Sequence, residues 1–310
     1  MHGIHHVTAI AGQPQRNLDF YTRTVGLRFV KRTVNFDDPG TYHFYFGDKT
    51  GSPGTILTFF PWEHAAPGRA GIGLAETTAF RVPAGSIGYW AHRFVEKGVR
   101  CEARTERFGE PVLSFTDPDG MNLALVGVRG AEAEPAWSNG EVPAEHAVRG
   151  FHGVTLMVEA AAATGTILSE VLGFAEAGRE GSISRYRANA GIGGTVDIHA
   201  VGGFLAGRMG RGAVHHVAFR AADDAEQAEM ARKLTENRWA QVTEQKDRQY
   251  FRSIYFFEPG GILFEIATDV PGFAVDEPVD RLGSSLKLPP FLEPQRRELE
   301  AVLAPLEIAT

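Results

Sequence analysis

Two segments decide the fold of this chain, AVHHVAFR (213–220) and EPGGILFEIATD (258–269). The first alternates apolar and polar residues, as a strand does, and we expect His215 and His216 to lie on opposite faces. In the second, a Pro-Gly-Gly turn leads into an apolar strand in which Glu265 is the only charged side chain. A carboxylate inside such a strand is costly to bury unless a cation faces it. A histidine on a neighbouring strand therefore suggests a metal site.

A site with two histidines and one carboxylate needs a second imidazole from elsewhere in the chain. The segment HGIHHVTAI (2–10) repeats the HHV pattern of residues 215–217 and places His6 where His216 lies. Three protein ligands on one face of a divalent metal leave the other coordination positions open for reactants. We therefore predict a metal centre formed by His6, His216 and Glu265.

Composition limits the classes of protein to consider. A chain of 310 residues is long enough for two domains, and 43% hydrophobic with 22% charged residues is ordinary for a globular protein. A net charge of −7 without a long basic run argues against nucleic acid or an anionic membrane as a partner. The single cysteine, Cys101, excludes an intrachain disulfide and fits a reducing compartment. The first ten residues lack the pattern of a secretory leader, so we expect a cytoplasmic protein.

The chain contains a fourfold internal repeat of one strand, one helix and further strands. Both His5 to Gly26 and His152 to Gly173 span 21 positions, and each glycine follows the end of a predicted helix, as a C-terminal cap would. The sequence FTDPDGMNLAL in the second unit parallels FFEPGGILFEI in the fourth. The four units cover approximately residues 2–60, 76–128, 151–201 and 213–269.

The repeat predicts an α+β fold with four βαβββ modules in two barrel-like domains, residues 1–128 and 151–269. Residues 129–150 are rich in Glu, Ala, Pro and Gly and indicate an exposed linker. After the second domain, residues 270–310 form a C-terminal tail with one predicted helix at about 293–303.

Equivalent positions in the four modules provide a test of the metal prediction. Each module offers one position on its first strand and one on its last strand. The first-strand positions hold His6, Thr77, Gly153 and His216, and the last-strand positions hold approximately Thr58, Ala124, Ile198 and Glu265. Donors suited to a metal occur only in modules one and four. We therefore expect one metal site between modules one and four, which should share one sheet, and a half without metal built from modules two and three.

Several segments of the chain resemble the vicinal-oxygen-chelate superfamily, which includes glyoxalases and extradiol dioxygenases. Within it they are similar to the ring-cleaving branch of hydroquinone 1,2-dioxygenases and related quinone-detoxifying dioxygenases. The resemblance covers nearly the whole chain and is carried by VGLRFVKRTVNFDDPGTYHFYFGD (25–48), GSPGTILTFFP (51–61), DRQYFRSIYFFEPGGILFEIATD (247–269) and PGFAVDEP (271–278). It implies that the four modules form two vicinal-oxygen-chelate barrel-like domains.

The resemblance implies an enzyme that uses Fe(II) and O2 to open a small aromatic diol, with the metal held by His6, His216 and Glu265. The ligand set alone also admits Mn(II) or Zn(II). A homodimer is the default expectation for an enzyme of this kind. The family's functional positions around the metal correspond to His5, Thr8, His215, Arg248 and Tyr255.

The chemistry of these side chains suggests a division of roles. An imidazole titrates near neutral pH and a guanidinium stays charged, so we assign proton transfer to His215 or Tyr255 and stabilisation of an anionic oxygen to Arg248. Other interpretations are open: Arg248 could pair with Asp247 or a nearby acid, Tyr255 could belong to the core, and His5 and His215 could be structural.

Two other functional classes remain open. A glyoxalase-type lyase or isomerase would need a second glutamate as a fourth ligand, but the corresponding position holds Thr58. A protein that binds quinones or drugs without catalysis would not need the metal ligands. We assign no metal role to His43, His152 or His199, and the alternation in residues 41–46 indicates a strand with one core face rather than a pocket wall.

Overall fold

The computed structural model describes residues 2–308 of the chain. Residue 1, the first of the predicted first domain, and residues 309 and 310, the last of the predicted tail, lie outside the described residues. The first two modules follow the predicted order of elements. Module one comprises β1 (Ile4–Ala11), α1 (Pro14–Asp19), β2 (Arg28–Asn35), β3 (Asp38–Gly47) and β4 (Ile56–Pro61). Module two comprises β5 (Leu74–Pro83), α2 (Ile87–Glu96), β6 (Thr105–Arg107), β7 (Glu110–Thr116) and β8 (Asn122–Val128).

The second half of the chain repeats this order and adds a helix in the tail. Module three comprises β9 (Phe151–Val158), α3 (Ala161–Glu170), β10 (Phe174–Glu180), β11 (Ile183–Ala188) and β12 (Thr195–Ala200). Module four comprises β13 (Val214–Ala221), α4 (Asp224–Glu236), β14 (Lys246–Asp247), β15 (Phe251–Phe257) and β16 (Leu263–Pro271). The tail helix is α5 (Arg296–Val302), within the predicted range.

Glycines follow the helical segments of modules one and three as predicted. In module one a π-helical segment, Phe20–Thr24, continues from α1 and ends before Gly26. Gly26 and Gly173 have φ values of +79° and +73°, a left-handed conformation that glycine adopts without strain. At the start of α4, the side chain of Asp223 accepts a hydrogen bond from the backbone N–H of Glu226. The two glycines thus mark where helical segments end, and Asp223 marks where α4 begins.

The strands form two sheets of eight strands each. The first sheet has the order β14-β15-β16-β13-β1-β4-β3-β2, and the second has the order β10-β11-β12-β9-β5-β8-β7-β6. Modules one and four therefore share one sheet, as the repeat predicted, and modules two and three share the other. Each sheet draws strands from both 1–128 and 151–269, and the domain boundaries themselves stay predictions.

The strand register corrects one position in the repeat. Glu265 pairs with Ala218, two residues after His216, across the parallel strands β16 and β13. In module three the residue paired with the equivalent Thr155 is Asp197, so the last-strand position holds Asp197 rather than Ile198. The expectation that metal donors occur only in modules one and four was therefore wrong, because a one-residue slip along a strand exchanges its two faces.

The tail packs across module one. Lys31 of β2 is fully buried and its ammonium forms ion pairs with Asp276 and Glu277. Phe273 joins a cluster that includes Tyr45 and Phe251, which lie beside the predicted metal centre. Burial of a lysine requires such paired carboxylates, so the tail is anchored to the sheet that holds the site. No helix within residues 2–308 is both long enough and apolar enough to cross a membrane.

Candidate metal centre

The three predicted ligands come together at the middle of the first sheet. His6 lies on β1 and His216 on the adjacent β13, while Glu265 lies on β16, next to β13. One donor atom from each lies within 4.8 Å of the others, and this is the only group of this kind found in residues 2–308. The Oε2 atom of Glu265 is 2.9 Å from Nε2 of His216 and 3.3 Å from Nε2 of His6. All three side chains are buried.

One oxygen of the Glu265 carboxylate faces only the two imidazoles. Ser253 donates a hydrogen bond to Oε1, whereas Oε2 is buried against the Nε2 atoms of His6 and His216 and, by hydrogen-bond geometry, accepts no bond from the described residues. Burial alone would raise the pKa of Glu265, but the imidazoles of His6 and His216 hold it well below its usual value. Ligand atoms about 3 Å apart suit neighbouring positions around a divalent metal at bond lengths of about 2.1 Å. The three residues therefore fit a divalent metal.

A β-bulge precedes each histidine ligand. The register between β1 and β13 shifts at His5 and again at His215, so each of these residues lacks a partner on the opposite strand. A bulge turns the extra side chain toward its neighbour's side of the strand. The expectation that His215 and His216 point to opposite faces was therefore wrong, since their Nδ1 atoms are 2.8 Å apart. The Nδ1 atoms of His5 and His6 are 2.9 Å apart in the same arrangement.

These paired histidines would orient the predicted ligands. If Nε2 of His6 and of His216 binds the metal, the ring proton of each must lie on Nδ1, which then donates to Nδ1 of the preceding histidine. Burial lowers the pKa of His5, and burial is also the largest cause that lowers the pKa of His215 to about 4. Both are therefore neutral near pH 7 and can accept that proton.

A cavity of about 290 Å³ opens onto this centre. Its walls combine aromatic rings with polar side chains from modules one and four. The lining includes His6, Asn35, Phe36, Asp37, His43, Tyr45, Phe60, Trp62, His215, His216, Thr243, Lys246, Arg248, Phe251, Tyr255, Leu263 and Glu265. The metal-facing atoms of the triad are thus accessible to a small ligand.

Arg248 and Tyr255 form the polar wall on the module-four side. Nε of Arg248 donates to the Tyr255 hydroxyl at 3.2 Å, and Nη2 donates to Asp37 at 2.8 Å. Burial alone would lower the pKa of Arg248, but Tyr255 and Asp37 hold it above its ordinary value. Burial raises the pKa of Tyr255. Arg248 thus pairs with a nearby acid, as one alternative predicted, but this acid is Asp37 of module one and not Asp247.

A second polar chain forms the wall on the module-one side. The Tyr45 hydroxyl lies 2.9 Å from Nδ1 of His43, whose Nε2 lies 2.9 Å from Oγ1 of Thr58. Thr58 in turn shares a hydrogen bond of 2.8 Å with Thr8. Burial lowers the pKa of His43 well below its usual value, so this imidazole is neutral. Hydrogen bonds through Thr58 and His43 thus connect Thr8 to the cavity lining.

The structure thus brings most of the predicted residues to one place. His215, Arg248 and Tyr255 line the cavity, whereas His5 and Thr8 lie behind it. The alternation in residues 41–46 gives the predicted strand with one core face, formed by Tyr42, Phe44 and Phe46. The expectation that this strand forms no pocket wall was wrong, since His43 and Tyr45 line the cavity. A signal for Tyr45 was present in the repeat. Tyr45 pairs with Thr58 as Tyr255 pairs with Glu265, so the two tyrosines occupy equivalent positions.

Comparison with known proteins identifies the family. Residues 3–125 match the model of the Glyoxalase/Bleomycin resistance protein/Dioxygenase superfamily. Over 99% of its length the chain is 46% identical to "Putative ring-cleaving dioxygenase MhqO" of Bacillus subtilis, of which it covers 97%. The chain belongs to this superfamily. Within it the chain groups with the ring-cleaving dioxygenases, and the family resemblance seen in the sequence is confirmed.

Two further relatives support this placement within the superfamily. The chain is 34% identical to "Chlorohydroquinone/hydroquinone 1,2-dioxygenase" of Sphingobium indicum, covering 96% of this chain and 94% of that protein. A crystal structure of a "putative dioxygenase" from Bacillus subtilis superposes with a TM-score of 0.95 at 45% identity, covering 99% of this chain and 98% of that one. The predicted fold is also confirmed by glyoxalase I from Zea mays, with a TM-score of 0.65 at 14% identity over 87% of this chain and 93% of that one.

Proposed function

We propose that this protein is an Fe(II)-dependent dioxygenase that opens a hydroquinone-type aromatic ring with O2. The observation that carries the proposal is the centre formed by His6, His216 and Glu265, three ligands on one side of a cavity with aromatic walls. The names of the relatives support ring cleavage, and one of them names hydroquinone and chlorohydroquinone. A catechol-type ring is the neighbouring candidate substrate.

The cavity fits a single aromatic ring. Its volume of about 290 Å³ lies at the lower end of the range for small-molecule sites. Phe60, Trp62 and Phe251 supply flat apolar surfaces against which a ring can pack. When bound, Fe(II) would supply adjacent coordination positions for a phenolate oxygen and O2, so that both reactants are held side by side.

The remaining polar residues handle charge and protons around the ring. Arg248 places a permanent positive charge on the wall, where it can stabilise an oxygen that becomes anionic. Tyr255 or His215 is the proposed proton-transfer group, and Nδ1 of His215 is engaged by His216. His43 is a further candidate, since its neutral ring joins the hydroxyls of Tyr45 and Thr58 and can pass a proton between them.

The glyoxalase-type alternative is less well supported. Its additional carboxylate ligand would have to come from the position of Thr58, whose hydroxyl is already bonded to Thr8 and His43. A binding protein without catalysis would have no need for the buried, unpartnered oxygen of Glu265. A cytoplasmic location and a homodimeric state stay predictions.

The decisive experiment measures O2 uptake and product by protein loaded anaerobically with Fe(II). The rings to compare are hydroquinone, methylhydroquinone, chlorohydroquinone and catechol. We expect one O2 consumed per ring opened, with loss of both metal and uptake in Glu265→Gln. Asp197→Asn is the matched control, because it removes a buried carboxylate at the equivalent register of the other sheet. Metal-loaded protein that opens none of the four rings would overturn the proposal.

A further inference from the structure

An ion pair joins the two modules at the wall of the cavity. Asp37 lies in the turn between β2 and β3, and Arg248 lies between β14 and β15. Oδ2 of Asp37 is 2.8 Å from Nη2 of Arg248. We propose that Asp37 is a positioning residue that holds Arg248, and through it Tyr255, in the orientation that receives the aromatic ring. This inference rests on the proposed function and names a residue that the sequence did not single out.

The turn that carries Asp37 is itself held in place. Oδ1 of Asn35, a residue that is 9% exposed, accepts a hydrogen bond of 3.0 Å from the backbone N–H of Asp37. Such a bond closes a local turn and fixes the direction of the next side chains. Between them, Phe36 makes an edge-to-face contact with Phe291 of the tail, with ring centres 6.0 Å apart. Asp37 is therefore presented from an anchored turn.

Arg248 depends on this carboxylate for its counter-charge. Its side chain is 17% exposed, and Asp37 is its only ion-pair partner among the described residues. Its guanidinium also lies 5.4 Å from the centre of the Tyr255 ring, to whose hydroxyl Nε donates. Removing one partner of a largely buried ion pair leaves the other charge uncompensated. The other carboxylate of the cavity lining is Glu265, so we expect a released Arg248 to turn toward it and into the space that the ring would occupy.

Because Asp37 is exposed, the salt dependence of ring binding distinguishes a positioning role from a purely structural one. Its side chain is 61% exposed, so added salt should weaken the ion pair. The buried contacts of His6, His216 and Glu265 are screened much less. Ring binding should therefore weaken with ionic strength in the wild-type protein, and this dependence should disappear when Asp37 is neutralised.

The test measures anaerobic hydroquinone binding to the Fe(II)-loaded protein by calorimetry, together with kcat and KM. Asp37→Asn should raise Kd and KM about three- to fivefold, as expected for one partly exposed ion pair, with a smaller change in kcat. Asp37→Glu should recover most of the affinity. Raising KCl from about 50 to about 500 mM should weaken ring binding to the wild type and leave Asp37→Asn unchanged. Asp224→Asn is the matched control, because Asp224 forms a similarly exposed ion pair with Arg252 away from the cavity.

A double-mutant cycle decides whether Asp37 acts through Arg248. In the Arg248→Met background, Asp37→Asn should have no further effect on Kd. Equal effects in both backgrounds, or an unchanged Kd in Asp37→Asn, would overturn the inference. If the wild type binds hydroquinone but consumes no O2, the proposed function fails while the cycle still tests the role of Asp37. Failure of the wild type to bind any of the rings would overturn both.

Discussion

The two sheets place different side chains on the same scaffold. Where the first sheet has His6, His216 and Glu265, the second has Thr77, Gly153 and Asp197 at the same registers. The bulges are also repeated, because the register shifts at Glu76 and His152 as it does at His5 and His215. The backbone geometry of a ligand site is thus present twice, and the side chains make the difference.

The second sheet satisfies its buried carboxylate from within the chain. Arg185 pairs with Asp197 across β11 and β12, as Tyr255 pairs with Glu265 across β15 and β16. The guanidinium donates two hydrogen bonds of 2.8 Å to Asp197 and one of 2.7 Å to Glu110. The cavity beside it is only about 30 Å³. A carboxylate at this register needs a cation, and the second sheet supplies an arginine where the first leaves Glu265 facing two imidazoles.

The close approach of β12 to Gly153 on β9 also prevents a histidine at this position of the second sheet. A Cβ atom added to Gly153 would lie 2.1 Å from the backbone oxygen of Thr195, on the adjacent β12. No side chain can be accommodated there without moving the strand. The position equivalent to His216 is therefore closed to every residue except glycine.

The largest effect should come from removing a ligand of the first sheet. We expect His216→Asn to lower bound Fe(II) from one equivalent to a small fraction and to reduce turnover at least about a hundredfold, more than loss of a supporting partner would. His199→Asn, in the second sheet, should retain both. Metal analysis and O2 uptake on the same samples provide the comparison. Full metal content in His216→Asn would remove this residue from the site.

The second-largest effect should come from removing Arg185, whose positive charge neutralises the buried carboxylates of the second sheet. Arg185→Met removes the cation that neutralises Asp197, which is buried, and Glu110, which is partly buried. We therefore expect the free energy of unfolding to fall by about 3–5 kcal/mol. Tyr255→Phe, at the equivalent register, should change stability by less than about 1 kcal/mol while lowering turnover. Urea denaturation of the metal-free proteins measures both. Equal stability of Arg185→Met and the wild type would show that the buried carboxylates do not need Arg185.

Local and repeated signals allowed much of this arrangement to be predicted from the sequence. The HHV pattern in the first strands predicted His6 and His216, and a single acid in an apolar strand predicted Glu265; the structure brings these three side chains together. Glycines after the helices gave correct ends because the left-handed conformation is a local requirement. The sharing of a sheet by modules one and four followed from the placement of His6, His216 and Glu265 in these two modules.

Features set by pairing between distant strands could not be predicted in this way. The bulges at His5 and His215 arise from the register of β1 against β13, more than 200 residues away in the chain. Asp37 and Arg248 are similarly separated by 211 positions. In module three the predicted last-strand position was Ile198, one residue from the observed Asp197. This error of one residue changes the assignment of the strand face, since neighbouring side chains point to opposite faces.

A third, smaller effect compares the bulge histidines of the two sheets. His5→Phe and His215→Phe should weaken metal binding about 10- to 100-fold, because each removes the acceptor that orients a ligand imidazole. His152→Phe, at the equivalent bulge, should leave metal affinity unchanged. Competition with a metal-binding dye measures these affinities. An unchanged affinity in both His5→Phe and His215→Phe would limit these residues to a packing role.

The smallest effect concerns acid stability and is specific to the second sheet. Burial alone would raise the pKa of Glu110, but His152 and Arg185 lower it to about 2. A carboxyl whose pKa falls on folding stabilises the protein above its ordinary pKa of 4.5, and this contribution is lost as pH falls toward 2. Allowing for partial exposure of Glu110, we expect about 1–2 kcal/mol. Glu110→Gln should therefore be less stable than the wild type at pH 6 and show a smaller loss of stability between pH 5 and pH 3. Added metal should not change this difference, because Glu110 responds to Arg185 and not to the centre in the first sheet.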